Sequence, residues 1–248
     1  MKQDRFLTGI LIGIAVIVII ALSVFLMRKD NLTYVNDDTP EGVIQNYVVA
    51  LHKRNFEKAY TYLADLPVEL IDLGILPDDL DRLRDAFAHV DADLLVTTGG
   101  ASVGDHDLVR PALEAAGGVI DFWRIALRPG KPMMAGRRGA MQVLGLPGNP
   151  VSAFVTALLF VKPLIAHLSG AANPLPRSTM AILGEDLPAN GPRTDYLRAE
   201  LRDGRAYAST IQDSSMLLTL ARSHCLIVRP VDAPVARAGD SAEILVIA

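Results

Sequence analysis

Asp93-Leu-Leu-Val-Thr-Thr-Gly-Gly-Ala-Ser-Val-Gly104 decides the fold of this 248-residue chain. Its first six residues centre on the apolar Leu94-Leu95-Val96, the pattern of a short strand covered on both faces. Gly99, Gly100 and Gly104 follow as a glycine-rich loop. A helix is predicted from about Asp107 to Ala116, with Gly117 as its stop. Pro111 falls in the first turn, where a missing N–H is tolerated. Upstream, Leu83, Phe87 and Val90 line one face of a helix predicted from about Asp79 to His89. This alternation of helix and strand marks an α/β sheet. A strand, a glycine loop and a helix N-terminus also make an anion cradle, because backbone N–H groups and the helix dipole converge there. Many glycine-rich turns of α/β folds bind nothing, so the cradle alone does not identify a ligand.

Working downstream, Phe122-Trp-Arg-Ile-Ala-Leu-Arg128 is predicted as one strand. Its side chains then alternate, with Trp123, Ile125 and Leu127 on one face and Arg124 and Arg128 on the other. At ~3.3 Å per residue the two arginines stand about 13 Å apart. Pro129-Gly-Lys131-Pro turns the chain and adds a third cation. Buried guanidinium groups are costly unless they meet anions; an edge strand with a solvated face is the alternative. Residues 132–146 read as a hairpin turning at Gly136-Arg-Arg-Gly139. Gly145-Leu-Pro-Gly-Asn-Pro150 then forms a rigid corner into a helix running to about Leu168. Asn149 is its expected cap, Pro150 its first residue and Pro163 its kink.

Three blocks, Thr98-Gly-Gly-Ala-Ser-Val-Gly-Asp-His-Asp107, Arg128-Pro-Gly-Lys-Pro132 and Gly145-Leu-Pro-Gly-Asn-Pro-Val-Ser152, stand in one order and spacing. Together they resemble the molybdopterin-binding domain of the molybdopterin molybdotransferases. The resemblance extends from about Ile71 to the C-terminus. It implies a transferase of molybdenum-cofactor biosynthesis that takes adenylylated molybdopterin and molybdate, inserts the metal into the dithiolene and releases AMP with Mg²⁺ assisting. Carried over by position, Asp78, Asp107, Arg124 and Arg128 are the catalytic candidates. Asp78 and Asp107 would hold Mg²⁺, a hard cation that prefers oxygen. Gly99, Gly100, Ser102, Gly104, Lys131, Pro147, Gly148, Asn149, Pro150, Arg198 and Ser214 are the binding candidates. The family commonly has lysines where this chain has Arg124 and Arg128, and a guanidinium fork is larger and planar.

Beyond Pro174 and Pro176, short strands recur at Tyr196 to Leu201, Ala206 to Thr210, Cys225 to Val228 and Ala242 to Ile247. Asp203-Gly204 is a hairpin signal. This predicts a small β-barrel, which is also the family's last domain. Cys225 is the only cysteine, so no intrachain disulfide or multi-thiolate zinc site can form. It reads as a buried apolar residue. The formal net charge of −4 gives no global basic field for nucleic acid.

The N-terminal end reads differently. The run from Phe6 to Met27 carries no charge, and at about 1.5 Å per residue it spans the ~30 Å hydrocarbon core of a bilayer. It is longer than a signal-peptide core, so a single-pass anchor is expected, with Lys2, Arg5, Arg28 and Lys29 leaving orientation open. Two short helices follow, from Thr39 and from Phe56, and resemble the opening helices of membrane-anchored domains with a cone-shaped nuclear-transport-factor fold. The expected organisation is an anchor (1–30), a linker with a helical fragment (31–66), an α/β domain lacking its family's opening strand (67–172) and a barrel (173–248). The family's enzymes begin with two further domains and act as dimers. The sequence thus leaves open a molybdotransferase with its working part in the cytoplasm, a non-enzymatic membrane-anchored interaction protein, a chimeric gene product, and a general nucleotide-binding module.

Overall fold

The computed structural model describes residues 33–36, 45–46, 49–50, 53–55, 58, 69–100 and 107–247. The anchor at residues 6–27, most of the two following helices, and Ser102, Gly104 and His106 lie outside these. The chain divides into two compact units at Thr33 and Tyr34; everything below concerns the second.

The α/β part begins with α1 (Leu80–His89), entered through Asp79, whose carboxylate accepts from the Arg82 N–H. A side-chain cap of this kind satisfies a donor the helix itself cannot. The strands are β1 (Leu94–Thr98), β2 (Val119–Trp123), β4 (Met134–Arg138) and β5 (Met141–Leu146). They form one sheet in the order β1-β5-β4-β2. Only β1 and β5 are parallel; β5, β4 and β2 run antiparallel. Side chains alternate across β5 as a pleat requires. Met141 and Val143 enter one core with α1 and α2 (Val109–Ala115). Leu144 and Leu146 enter another with Met133, Ala153 and Ala157. The sheet therefore lies between helical layers on both faces. Among the described residues β1 pairs with β5 alone, so its other side is a free edge. A cleft of roughly 1180 Å³ runs along that edge, lined in part by Ile71, Ile75, Asp78, Thr98 and Lys162.

The corner after β5 opens into α3 (Pro150–Thr156), a π-helical turn (Ala157–Val161) and α4 (Lys162–Leu168). Pro163 sits in the first turn of α4. A wider turn ahead of a proline accommodates the N–H it cannot donate. Pro150–Leu168 is long and apolar enough to cross a membrane by composition, but half of it is buried inside the protein, as befits a core helix.

The barrel comprises β6 (Ser178–Leu183), β7 (Thr194–Arg202), β8 (Arg205–Ala208), β9 (Cys225–Arg229) and β10 (Ser241–Val246). The order β7-β8-β6-β10-β9, with β9 returning to pair with β7, closes the ring. β6, between Pro176 and the first expected strand, had no sequence expectation; Met180 and Ile182 are exposed on it and blur its alternation. Cys225 and Ile227 point into the barrel with Leu183, Ala199 and Ile244. Leu226 and Leu245 point out, joining Val151, Phe154 and Val155 of α3 and Leu220 of α5 (Leu217–Ala221). That shared core welds the barrel to the α/β part. Ala50, from the helical fragment, is buried in the same cluster.

The single strand expected over 122–128 fails. Arg124 and Arg128 do not share a strand. Arg124 has φ 70°, a left-handed conformation that a non-glycine residue reaches only at a cost and that ends a strand. β2 stops at Trp123, and Leu127–Arg128 forms a two-residue β3 that pairs in parallel with Thr194 and Asp195 of β7, in the other sheet.

Candidate functional site

Gly99 is the first residue past β1, and its N–H donates to Leu146 O at 3.1 Å. This bond ties the glycine turn to the end of β5, where the corner begins. The two loops then nearly touch. A Cβ placed on Gly148 would lie 3.3 Å from the Gly99 Cα, and one on Gly99 would lie 3.9 Å from the Gly148 Cα. Gly99 and Gly100 have φ of 84° and 64°, conformations that glycine adopts freely. The approach is tight on the Gly148 side, whereas at Gly99 the positive φ, rather than space, calls for glycine. Pro147 is buried while Gly148 and Asn149 are exposed, so the corner is rigid at its base and open at its tip.

Asn149 occupies the N-cap position of α3, but its side chain makes no cap hydrogen bond. Its Nδ2 instead donates to Ser214 Oγ at 2.8 Å, which corrects the expected capping role. The barrel competes successfully for that amide, and Pro150 at the first helical position already removes one donor in need of a cap. Ser214 belongs to a loop that also engages Arg198 on β7. The Arg198 Nη2 donates to Asp213 O at 3.2 Å. The side chain is fully buried, and its Nε and Nη1 have no hydrogen-bond partner among the described residues. Burial pulls the Arg198 guanidinium below its ordinary value, with Asp213 opposing the shift. Arg198 therefore supports the Ser214 loop from beneath and does not line an open surface.

The cations diverge. The Arg124 guanidinium lies over the Trp123 ring, 4.2 Å from its centroid, with Arg110 on the same ring at 5.5 Å. Arg128 reaches into the barrel and pairs through Nη2 with the buried carboxylate of Asp195. That ion pair joins the two domains beside β3, and no feature of the sequence signalled Asp195. Lys131 is exposed. The turn carrying it packs on α3, since a Cβ on Gly130 would meet Thr156 Cγ2 at 2.5 Å.

Asp78 is exposed and lines the cleft along β1 together with Gly99 and Gly100. Asp107 is half-buried, two residues ahead of α2, which starts at Val109, later than the sequence suggests. Among the described residues no group of three or more His, Cys, Asp and Glu side chains could cage a metal. A carboxylate oxygen is the donor type Mg²⁺ prefers, and the ion is usually held by one or two of them plus substrate phosphates.

The structure thus brings together Gly99, Gly148, Asn149 and Ser214 along one seam, with Arg198 and Asp213 behind it. Arg124 lies over the Trp123 ring. Gln212, which fixes the Ser214 loop through both atoms of its side-chain amide, had no sequence signal.

Comparisons with known proteins find relatives for both parts of the chain. Residues 53–167 match the family described as a probable molybdopterin binding domain. Residues 180–247 match the MoeA C-terminal region, domain IV. The molybdopterin molybdenumtransferase of Haemophilus influenzae is 37% identical over 190 residues, 73% of this chain and 47% of that protein. That of Bacillus subtilis is 30% identical over 224 residues, 87% of this chain and 50% of that protein. The chain spans about half the length of these relatives. A molybdenum cofactor biosynthesis protein from Pyrococcus furiosus superposes with a TM-score of 0.58 at 27% identity, over 80% of this chain and 62% of that one. A molybdopterin biosynthesis protein from Pyrococcus horikoshii gives 0.56 at 26%, over 79% and 45%.

Proposed function

The chain belongs to the molybdopterin molybdenumtransferase family through residues 53–247, and on that premise we propose that it serves molybdenum-cofactor biosynthesis by inserting molybdate into adenylylated molybdopterin with release of AMP. The observation that carries this reading is the apposition of Gly99 to Gly148, one residue from the Asn149–Ser214 bridge. Two glycine backbones side by side let a phosphate approach without meeting a Cβ; the Gly99 N–H is committed to Leu146 O, and the amides at Gly100 and Gly148 serve as the donors. Asn149 and Ser214 add neutral donors from both domains, able to orient an oxyanion without a fixed positive charge. The two-domain seam fixes where the ligand's phosphate lies relative to the barrel, which is catalysis by positioning.

Mg²⁺ would be held by Asp78 and Asp107 with substrate phosphates, and would supply charge neutralisation there. Lys131, exposed on its turn, adds mobile positive charge that draws molybdate and phosphate to the seam. Arg128, committed to Asp195, holds the domains together. Residues 6–27 tether the unit to a membrane, and a second copy of the chain is the expected assembly partner.

The test is AMP release. Purified chain with adenylylated molybdopterin, molybdate and Mg²⁺ is expected to release AMP in proportion to metal-loaded product. Ser214→Ala is expected to lower that rate at least tenfold. AMP release at the uncatalysed rate with the unsubstituted chain refutes the proposal.

A further inference from the structure

β8 ends at Ala208, so β7 loses its strand partner one step before Arg198 on that side. The backbone of Arg198 is not left unpaired. Its N–H donates to Gln212 Oε1 at 3.0 Å, and Gln212 Nε2 donates back to Arg198 O at 2.9 Å. The same Nε2 donates to Ser209 O at 2.9 Å, and the Ser209 N–H reaches Arg198 O at 2.8 Å. A primary amide carries one acceptor and two donors, so here it bridges the half-rung between the Arg198 N–H and Ser209 O, the other half being the backbone bond from the Ser209 N–H. Gln212 is also joined through Asp213 to Ser214. Asp213 O accepts from Arg198 Nη2, and Asp213 Oδ1 accepts from the Ser215 N–H and Oγ at 2.7 and 2.6 Å. These bonds set the direction in which Ser214 leaves the barrel.

We propose that Gln212 is a positioning residue: its amide rung on β7 holds residues 209–216 where Ser214 completes the ligand seam with Asn149. The proposal rests on the functional reading above. It separates the amide from every near-isostere. Methionine fills the same space with no rung. A glutamate carboxylate has no donor and faces the carbonyls of Arg198 and Ser209, whereas a protonated carboxyl restores one donor and one acceptor.

Two readouts on the full chain test it. Hydrogen exchange of residues 209–216, without ligand, is expected to quicken at least tenfold in Gln212→Met while β9 and β10 stay protected. Dissociation constants for adenylylated molybdopterin are expected to rise at least tenfold in the same variant. Gln212→Glu, compared with the unsubstituted chain at each pH, should match Gln212→Met at pH 8 and recover to within about threefold at pH 5, following the ionisation of a carboxyl group. A general loss of packing would not produce that recovery. Unchanged exchange in Gln212→Met overturns the proposal, and so does faster exchange with unchanged affinity or a Glu variant with no pH-dependent recovery. Failure of the unsubstituted chain to bind overturns the functional reading and the positioning role with it. The exchange data distinguish that result from a rung that does not exist.

Discussion

Removing Leu220 from the barrel should destabilise the α/β domain as much as the barrel itself. Leu220 is fully buried and packs with Val151, Phe154 and Val155 of α3 and with Leu226 and Leu245 of the barrel. Leu→Ala at such a site costs about 2–5 kcal/mol, the transfer term plus the cavity left behind. Taking ~3 kcal/mol, and about 2–4 °C per kcal/mol for a unit of this size, Tm falls by about 6–12 °C. The chain has one tryptophan, Trp123 on β2, packed on the core formed with α1 and α2. Its fluorescence therefore reports the α/β domain alone, whereas far-UV circular dichroism reports both. In Leu220→Ala both signals are expected to melt together, shifted equally. A Trp123 transition that keeps its original midpoint while the dichroism falls in two steps would refute the shared core and leave the seam without rigid support.

Other outcomes follow from the same contacts. A double-mutant cycle on Asn149→Ala and Ser214→Ala, read as affinity for adenylylated molybdopterin, should give a coupling of about 0.5–1.5 kcal/mol, the range for one neutral hydrogen bond; zero coupling means the bridge does not act in binding. Gly148→Ala must push the Gly99 backbone away by a few tenths of an ångström and should weaken binding severalfold, since small misplacements at a positioned site are costly; unchanged affinity contradicts the close apposition. Burial raises the Cys225 thiol to about 11, so a thiol reagent at pH 8 should label it only after denaturation. Hydrogen bonds from Ser215 hold the Asp213 carboxyl below its ordinary 3.8. Its stabilisation is then present above that value and lost as pH falls through the lower folded-state value. The gap in urea midpoint between the unsubstituted chain and Asp213→Asn should be constant near neutrality and close in acid.

Much of this arrangement is written in local sequence. The apolar run 94–98, the glycine stops at 117 and 139 and the Asn-Pro entry at 149 each impose a local conformation, and the corresponding elements lie where they should. The meeting of the glycine turn and the corner, tight at Gly148, was not legible in either block alone. The strand expected at 122–128 fails because alternation cannot reveal a left-handed residue: nothing about Arg124 announces φ 70°. Asp195 and Gln212 were illegible for another reason. Their partners lie far along the chain or across domains, Arg128 being 67 residues from Asp195, and periodicity carries no long-range pairing. β6 was missed because one of its faces, with Met180 and Ile182, is apolar yet exposed.

The most direct measurement is the position of bound ligand. A crystal structure of the chain with adenylylated molybdopterin is expected to place phosphate oxygens within hydrogen-bonding reach of the backbone amides at Gly100 and Gly148–Asn149, with Ser214 Oγ contacting the same ligand. Ligand density lying elsewhere, for instance against the exposed segment around Ile71 and Ile75, with the Gly99–Gly148 seam untouched, would contradict it.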